Sequence, residues 1–281
     1  MRVLVTGASG FIGSHAAAHL AARGHEITAT GRNEARLRPL VRAGCRIVPA
    51  DLSTSDLATM LDGIEAIVHG AARASPWGER ALFWNDNVIS TQRLVAAARE
   101  SGCVRRLVLV STPSIYFRTR DQLQIPEAFT PPRRWPTAYA ETKWIAETCV
   151  RDAPELGPVI LRPRAVFGPR DTAIVPRLVA VAKSGVFPLP GGGRAWADVT
   201  YVDNVVDAIA LASEGGKDIE GRAFNITNGE PIQVRDLARR LFRALGIETR
   251  FLAIPRTAAL ALASVSECYM EIGRASCRER V

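Results

Sequence analysis

The chain opens on RVLVTGASGFIG, residues 2–13. Residues 2–5 are an apolar, β-branched run of the kind a buried parallel strand needs. The turn TGASGFIG (6–13) follows directly. The Ala-rich SHAAAHLAARG (14–24) comes next and predicts a helix stopped at Gly24. Strand, glycine turn and helix in that order constrain the fold more than any other feature. They are the local context of a dinucleotide-binding βαβ unit. In such a unit Gly7 permits the tight turn, Gly10 lets the backbone approach a pyrophosphate, and Gly13 lets the helix pack closely on the strand. Ser9, Phe11 and Ile12 complete the turn and the helix start, where free N–H groups and the helix dipole attract phosphate.

The pattern then alternates. EITAT (26–30), CRIVPADL (45–52), AIVHGAA (66–72), RLVLVST (106–112) and GPVILRPRAVFGP (157–169) each hold a strand, and TQRLVAAARESG (91–102) reads as a helix. Strands alternating with helices predict an α/β fold, a doubly wound parallel sheet of Rossmann type. Ligands of such sheets bind beyond the carboxyl ends of the strands. Gly7, Asp51, Leu52, Gly70, Ala71, Ala72, Thr112 and Pro163 lie at or beside such ends and are candidate contacts. The second strand closes on Gly31 and Arg32, where NAD-preferring folds carry an acidic residue. The planar fork of Arg32 suits a 2′-phosphate, so NADP is expected, with NAD the alternative. An exposed arginine opening the next helix is the plainer reading of Arg32.

TAYAETK (137–143) places Lys143, one of three lysines, four residues after Tyr139, one of four tyrosines. On a helix this spacing puts both side chains on one face. An ammonium there is expected to lower the phenol from its ordinary value of about 10. Tyr139 would then exchange protons near neutrality. The plain alternative is a solvated helix face.

The 281 residues carry a net charge of +8, but the arginines are scattered, not gathered into the basic stripe that nucleic acid needs. Cysteines 45, 103, 149, 268 and 277 are isolated, which suggests neither zinc nor disulfides and fits a reducing cytoplasm. No apolar run reaches the roughly 18 residues of a membrane span, and no signal peptide is expected before the strand at Arg2. After Pro169 the texture becomes loop-rich, with helices in VVDAIALASEG (205–215) and QVRDLARRLFRALG (233–246) and a plain turn at Gly191–Gly193. The last eleven residues, EIGRASCRERV, back-translate without a mismatch to a stretch resembling a short-read sequencing adapter. Residues 271–281 are therefore expected to be an artefact, and the natural protein to continue past Met270.

TGASGFIG, the ST strand end at 111–112 and YAETK together resemble the extended short-chain dehydrogenase/reductase superfamily over nearly all of residues 1–270. The resemblance implies Tyr139 as catalytic acid/base, Lys143 as its partner and holder of the nicotinamide ribose, and Thr112 as hydrogen-bond donor to the substrate oxygen. It implies Asn87 as the Asn of an N-V-x-G-T segment, with Ser90 in place of Gly; the plainer role for Asn87 is a helix cap. Asp51 takes the place of the acidic residue on adenine. It also implies a dinucleotide-binding domain at 1–165, with 199–227 returning to it. A smaller and apparently truncated substrate lobe would span 166–198 and 228–270, and the assembly would be a homodimer. Dehydratases of the family carry two acids where this chain has Pro113 and Ser114, and sugar-nucleotide epimerases an Arg where it has Ala197. DVTYVDNVVDA (198–208) most resembles the 3β-hydroxysteroid dehydrogenase-like branch. An alcohol/ketone oxidoreductase on an apolar substrate is expected, its pocket drawing on Trp77, Trp84, Trp135 or Trp196. A nucleotide-sugar epimerase and a non-catalytic NADP-binding regulator are the alternatives.

Overall fold

The computed structural model describes residues 1–75, 78–118, 122, 124–128, 130–132 and 134–259. Trp77 and the segment 271–281 lie outside the described residues. The chain divides into two compact units, Met1–Asp171 with Val199–Asn228, and Thr172–Asp198 with Gly229 onward.

The first unit is built on a parallel sheet of seven strands: β1 (Arg2–Thr6), β2 (Glu26–Gly31), β3 (Arg46–Pro49), β4 (Ala66–His69), β5 (Arg106–Val110), β6 (Pro158–Pro163) and β7 (Ala223–Ile226). Their order is β7-β6-β5-β4-β1-β2-β3, so the direction of winding reverses between β1 and β4. That reversal opens a crevice at the carboxyl ends of these two strands. Strand periodicity explains why both faces are apolar. Val3 and Val5 join one core with Ala16, Ala17, Leu20 and Ile209. Leu4, between them, joins the other with Leu94, Val150 and Ile160. Successive side chains point to opposite faces, so a sheet sandwiched between helices needs unbroken apolar runs.

Helix α1 (Phe11–Ala22) presses its small residues Gly13, Ala16 and Ala17 onto the sheet. Helix α2 (Ser90–Ser101) ends at Gly102, which takes φ 61°. Helix α3 (Ala138–Arg151) starts where the Thr137 hydroxyl accepts the Ala140 N–H at 3.1 Å, a side-chain N-cap. Helix α4 (Val202–Glu214) lies against α1. Ahead of α2 the chain forms a π-helix at Trp84–Ile89, which the sequence pattern does not foretell. Its wider turn buries the consecutive residues Asp86, Asn87 and Val88, and one such turn within a helix often marks a functional site.

The second unit pairs Val186–Pro190 with Arg250–Ile254 in parallel, and Trp196–Ala197 with Ile232–Gln233 in antiparallel. Phe187, Phe242 and Phe251 cluster in its core, with ring centroids 5.0–6.0 Å apart. Gly191–Gly193 form a single tight turn. Among the described residues, no helix is long and apolar enough to cross a membrane.

Candidate active site

The turn after β1 is built on close backbone approach. Gly7 sits at φ +68°, and a Cβ there would lie 2.6 Å from the Ala71 nitrogen. A Cβ on Gly13 would lie 2.3 Å from the Gly7 carbonyl oxygen, and one on Gly31 would lie 2.5 Å from the Ser9 hydroxyl. Beside this turn lies an open cavity of about 160 Å³, lined by Gly7, Ser9, Gly10, Arg32, Asp51, Leu52, Gly70, Ala71 and Ala72 together with Thr30, Gly31, Ala50, Asp86 and Ser90. These residues come from the carboxyl ends of β1 to β4, from the π-helix and from the first residue of α2. A side-chain-free cradle at the N-terminus of a helix suits a dinucleotide pyrophosphate. Thr112, Tyr139 and Lys143 stand apart from this lining and form a second cluster; Gly13, Phe11, Ile12 and Pro163 stand apart from it as well. Gly13 is spent on helix-to-turn packing, and Phe11 turns edge-on to His15 with centroids 5.5 Å apart. Ile12 packs against the core, and Pro163 is buried in the sheet beside β7.

Charge gathers at one end of the cavity. Arg32 directs both terminal nitrogens to the Asp86 carboxylate, at 3.2 Å each, and lies 3.8 Å from Asp51. Its fork is therefore engaged in an ion pair, though the side chain is 56% exposed. Arg73 also meets Asp86, with Nε and Nη2 at 3.0 and 2.9 Å from Oδ2. The Ser53 hydroxyl and N–H, donating to the Asp51 carboxylate at 2.7 and 2.9 Å, hold Asp51 below the usual carboxylate range, with help from the Arg32 charge. Arg93 donates to the Leu52 and Ser55 carbonyls at 3.1 and 2.8 Å and so fixes the loop that carries Asp51 and Leu52.

The second cluster forms where β5 ends and α3 begins. Tyr139 and Lys143 share a face of α3, as their spacing predicts. The Thr112 hydroxyl lies beside the Tyr139 phenol and donates to Ser114 Oγ at 3.1 Å. The buried Lys143 ammonium donates to the Val110 carbonyl at 2.8 Å. The expected electrostatics are reversed. Burial pushes the Tyr139 phenol above 10, the Thr112 hydrogen bond only partly opposing it. Burial also brings Lys143 down to about 8, against the pull of Glu147. Desolvation outweighs the ammonium that the i, i+4 spacing supplies.

Glu147 continues the same face one turn further and is fully buried. It accepts from Arg162 Nε at 2.9 Å and Nη2 at 2.6 Å, and from the Ser111 hydroxyl at 2.5 Å. Arg162 in turn donates to the Tyr116 hydroxyl and the Glu127 carbonyl. His69, at the end of β4, is pushed down to about 3 by burial and then by the Lys143 charge, so it stays neutral between the hydroxyls of Thr6 and Thr91, at 2.8 and 2.9 Å. Asn87 makes no helix cap. Its carbonyl accepts the Arg73 N–H at 2.7 Å and its amide donates to the Thr142 hydroxyl at 3.0 Å, which ties the loop after β4 to α3 beside Lys143. Asp86, Arg73, Glu147, Arg162 and His69 escape sequence reading because their partners are distant in the chain. Only Glu147 carries a local signal, as the next member of the series 139, 143, 147. Among the described residues no tryptophan belongs to the lining of this cavity: Trp84 lies under the Arg80 guanidinium and Trp135 packs on Trp144. Trp196 belongs to the second unit and is 54% exposed.

Comparison with known proteins agrees with this geometry. The model of the NAD dependent epimerase/dehydratase family matches residues 3–227. A 2-alkyl-3-oxoalkanoate reductase of Stenotrophomonas maltophilia is 36% identical over 88% of this chain and 76% of its own length. The human sterol-4-alpha-carboxylate 3-dehydrogenase, decarboxylating, is 32% identical over 90% and 69%. Among solved structures, MoeE5 in complex with UDP-glucose and NAD superimposes with a TM-score of 0.78 at 28% identity, covering 91% of this chain and 85% of that one. The glycine turn at the sheet reversal and the extent of these matches together show that the chain belongs to the NAD-dependent epimerase/dehydratase family.

Proposed function

We propose that the protein is an NADP-dependent oxidoreductase that interconverts a ketone and a secondary alcohol on an apolar substrate, with Tyr139 as the proton donor and acceptor. The observation that carries this reading is the placing of the Thr112 hydroxyl beside the Tyr139 phenol, with the buried Lys143 four residues further along the same helix and held by the Val110 carbonyl. A bound nicotinamide would supply or accept the hydride. The chain's own residues would handle the oxygen. The Thr112 hydroxyl and the Tyr139 phenol would both face the carbonyl oxygen and stabilise its developing charge. The Tyr139 O–H bond would break as the proton passes to that oxygen, and solvent would restore the phenol. A phenol held above 10 enters as a proton donor, which suits ketone reduction at neutral pH.

Residue chemistry narrows the class. Elimination needs an acid and a base beside the sugar, and this chain offers Pro113 and Ser114 there. The relatives named above include a 2-alkyl-3-oxoalkanoate reductase and a sterol-4-alpha-carboxylate 3-dehydrogenase, which supports a ketone or alcohol on an apolar substrate. Arg32, at the end of β2 and on the rim of the cavity, is the group proposed to hold the 2′-phosphate. A second reading, a nucleotide-sugar epimerase, draws on the sugar-nucleotide ligand of MoeE5. Ala197, in place of the expected diphosphate-binding Arg, weighs against it.

The test is Tyr139→Phe assayed by NADPH oxidation with 2-alkyl-3-oxo acids and 3-ketosteroids. Loss of at least about 100-fold in kcat with cofactor binding retained is expected. Turnover close to wild type would overturn the assignment. Turnover only with UDP-sugars, with no net NADPH consumption, would establish the epimerase reading. Arg32→Ala should weaken NADPH binding more than NADH binding.

A further inference from the structure

We propose that Asp86 is a specificity-determining residue that sets how strongly the site favours a 2′-phosphorylated dinucleotide, by competing for Arg32. The inference rests on the reading that Arg32 binds the 2′-phosphate. Asp86 is the fixed partner: its side chain is 7% exposed, whereas that of Arg32 is 56% exposed. Asp86 sits in the π-helix and is also held by Arg73, whose Nε and Nη2 lie 3.0 and 2.9 Å from its Oδ2. Arg32 gives it the same two terminal nitrogens, 3.2 Å from the two carboxylate oxygens, that a phosphate would require. Phosphate and carboxylate therefore compete for one fork. Release of Arg32 does not strand Asp86, because Arg73 stays on it, so no unpaired buried charge blocks the exchange. Each NADP molecule that binds gives up part of its gain to break the Arg32–Asp86 pair, and NAD does not.

Neutralising Asp86 removes the competitor. Asp86→Asn keeps the shape and an acceptor oxygen for Arg73, and leaves the Arg32 fork open to the phosphate. The test is direct binding of NADPH and NADH, by calorimetry or quenching of tryptophan fluorescence, to wild type, Asp86→Asn, Arg32→Ala and the double variant. Asp86→Ser repeats the test if the Asn variant does not fold. We expect the ratio Kd(NADH)/Kd(NADPH) to rise about three- to tenfold in Asp86→Asn, the scale of a partly exposed ion pair. The rise should vanish in the Arg32→Ala background. An unchanged or lower ratio in Asp86→Asn, with Arg32→Ala still lowering it in wild type, overturns the Asp86 inference alone. An Arg32→Ala ratio equal to wild type overturns the 2′-phosphate reading and this inference with it.

Discussion

Glu147 and Arg162 form an ion pair with almost no access to water: their side chains are 0% and 1% exposed. Glu147 accepts two hydrogen bonds from Arg162 and one from Ser111. Glu147→Gln keeps the volume but replaces one acceptor oxygen with an NH₂ that faces the Arg162 donors. The Arg162 charge then remains buried with neutral partners only: the remaining Gln oxygen, the Tyr116 hydroxyl and the Glu127 carbonyl. Breaking one side of a buried pair costs about 3–5 kcal/mol. Total stability is typically about 5–15 kcal/mol, so the single variant should lose a large share of it. Removing both charges is a different perturbation, because the buried Arg162 charge goes with its partner, and Arg151, 3.6 Å from Glu147, is 34% exposed and keeps the Gly221 carbonyl. Glu147→Gln/Arg162→Met should recover at least about 2 kcal/mol of the loss. Urea unfolding followed by circular dichroism measures both. A cost below about 1 kcal/mol for Glu147→Gln, or a double variant no more stable than the single, would refute the reasoning.

Three further outcomes are expected. Gly13→Ala places a Cβ 2.3 Å from the Gly7 oxygen, so it should shift the glycine turn and weaken dinucleotide binding at least about tenfold by calorimetry; Gly24→Ala, with no atom within 4 Å, should leave binding unchanged. Lys143 sits near 8 in the folded protein against an ordinary 10.5. Between those pH values the unfolded chain holds one proton more than the folded one, so this lysine adds stability as pH rises, about 3 kcal/mol across the window; denaturation of Lys143→Met against pH should lack that rise. Thr137→Ala removes the cap of α3 and should lower stability by about 1 kcal/mol in thermal melts.

What the sequence by itself determined is whatever rests on neighbours along the chain. The strand–glycine–helix run at residues 2–24 rests largely on local sterics, since Gly7 takes φ +68° and a Cβ on Gly13 would strike the Gly7 carbonyl. The alternation of apolar runs with helices likewise determined a parallel sheet covered on both faces. The i, i+4 spacing put Tyr139 and Lys143 on one side of α3. Tertiary structure alone decided the charges. Arg32 finds Asp86 54 residues away, and Glu147 finds Arg162 across α3 and β6. The phenol of Tyr139 goes up instead of down because desolvation depends on every atom packed around a group, and no spacing rule contains that sum. The π-helix that turns Asp86 and Asn87 inward escapes sequence patterning for the same reason: its extra residue per turn is held by the packing on either side of it.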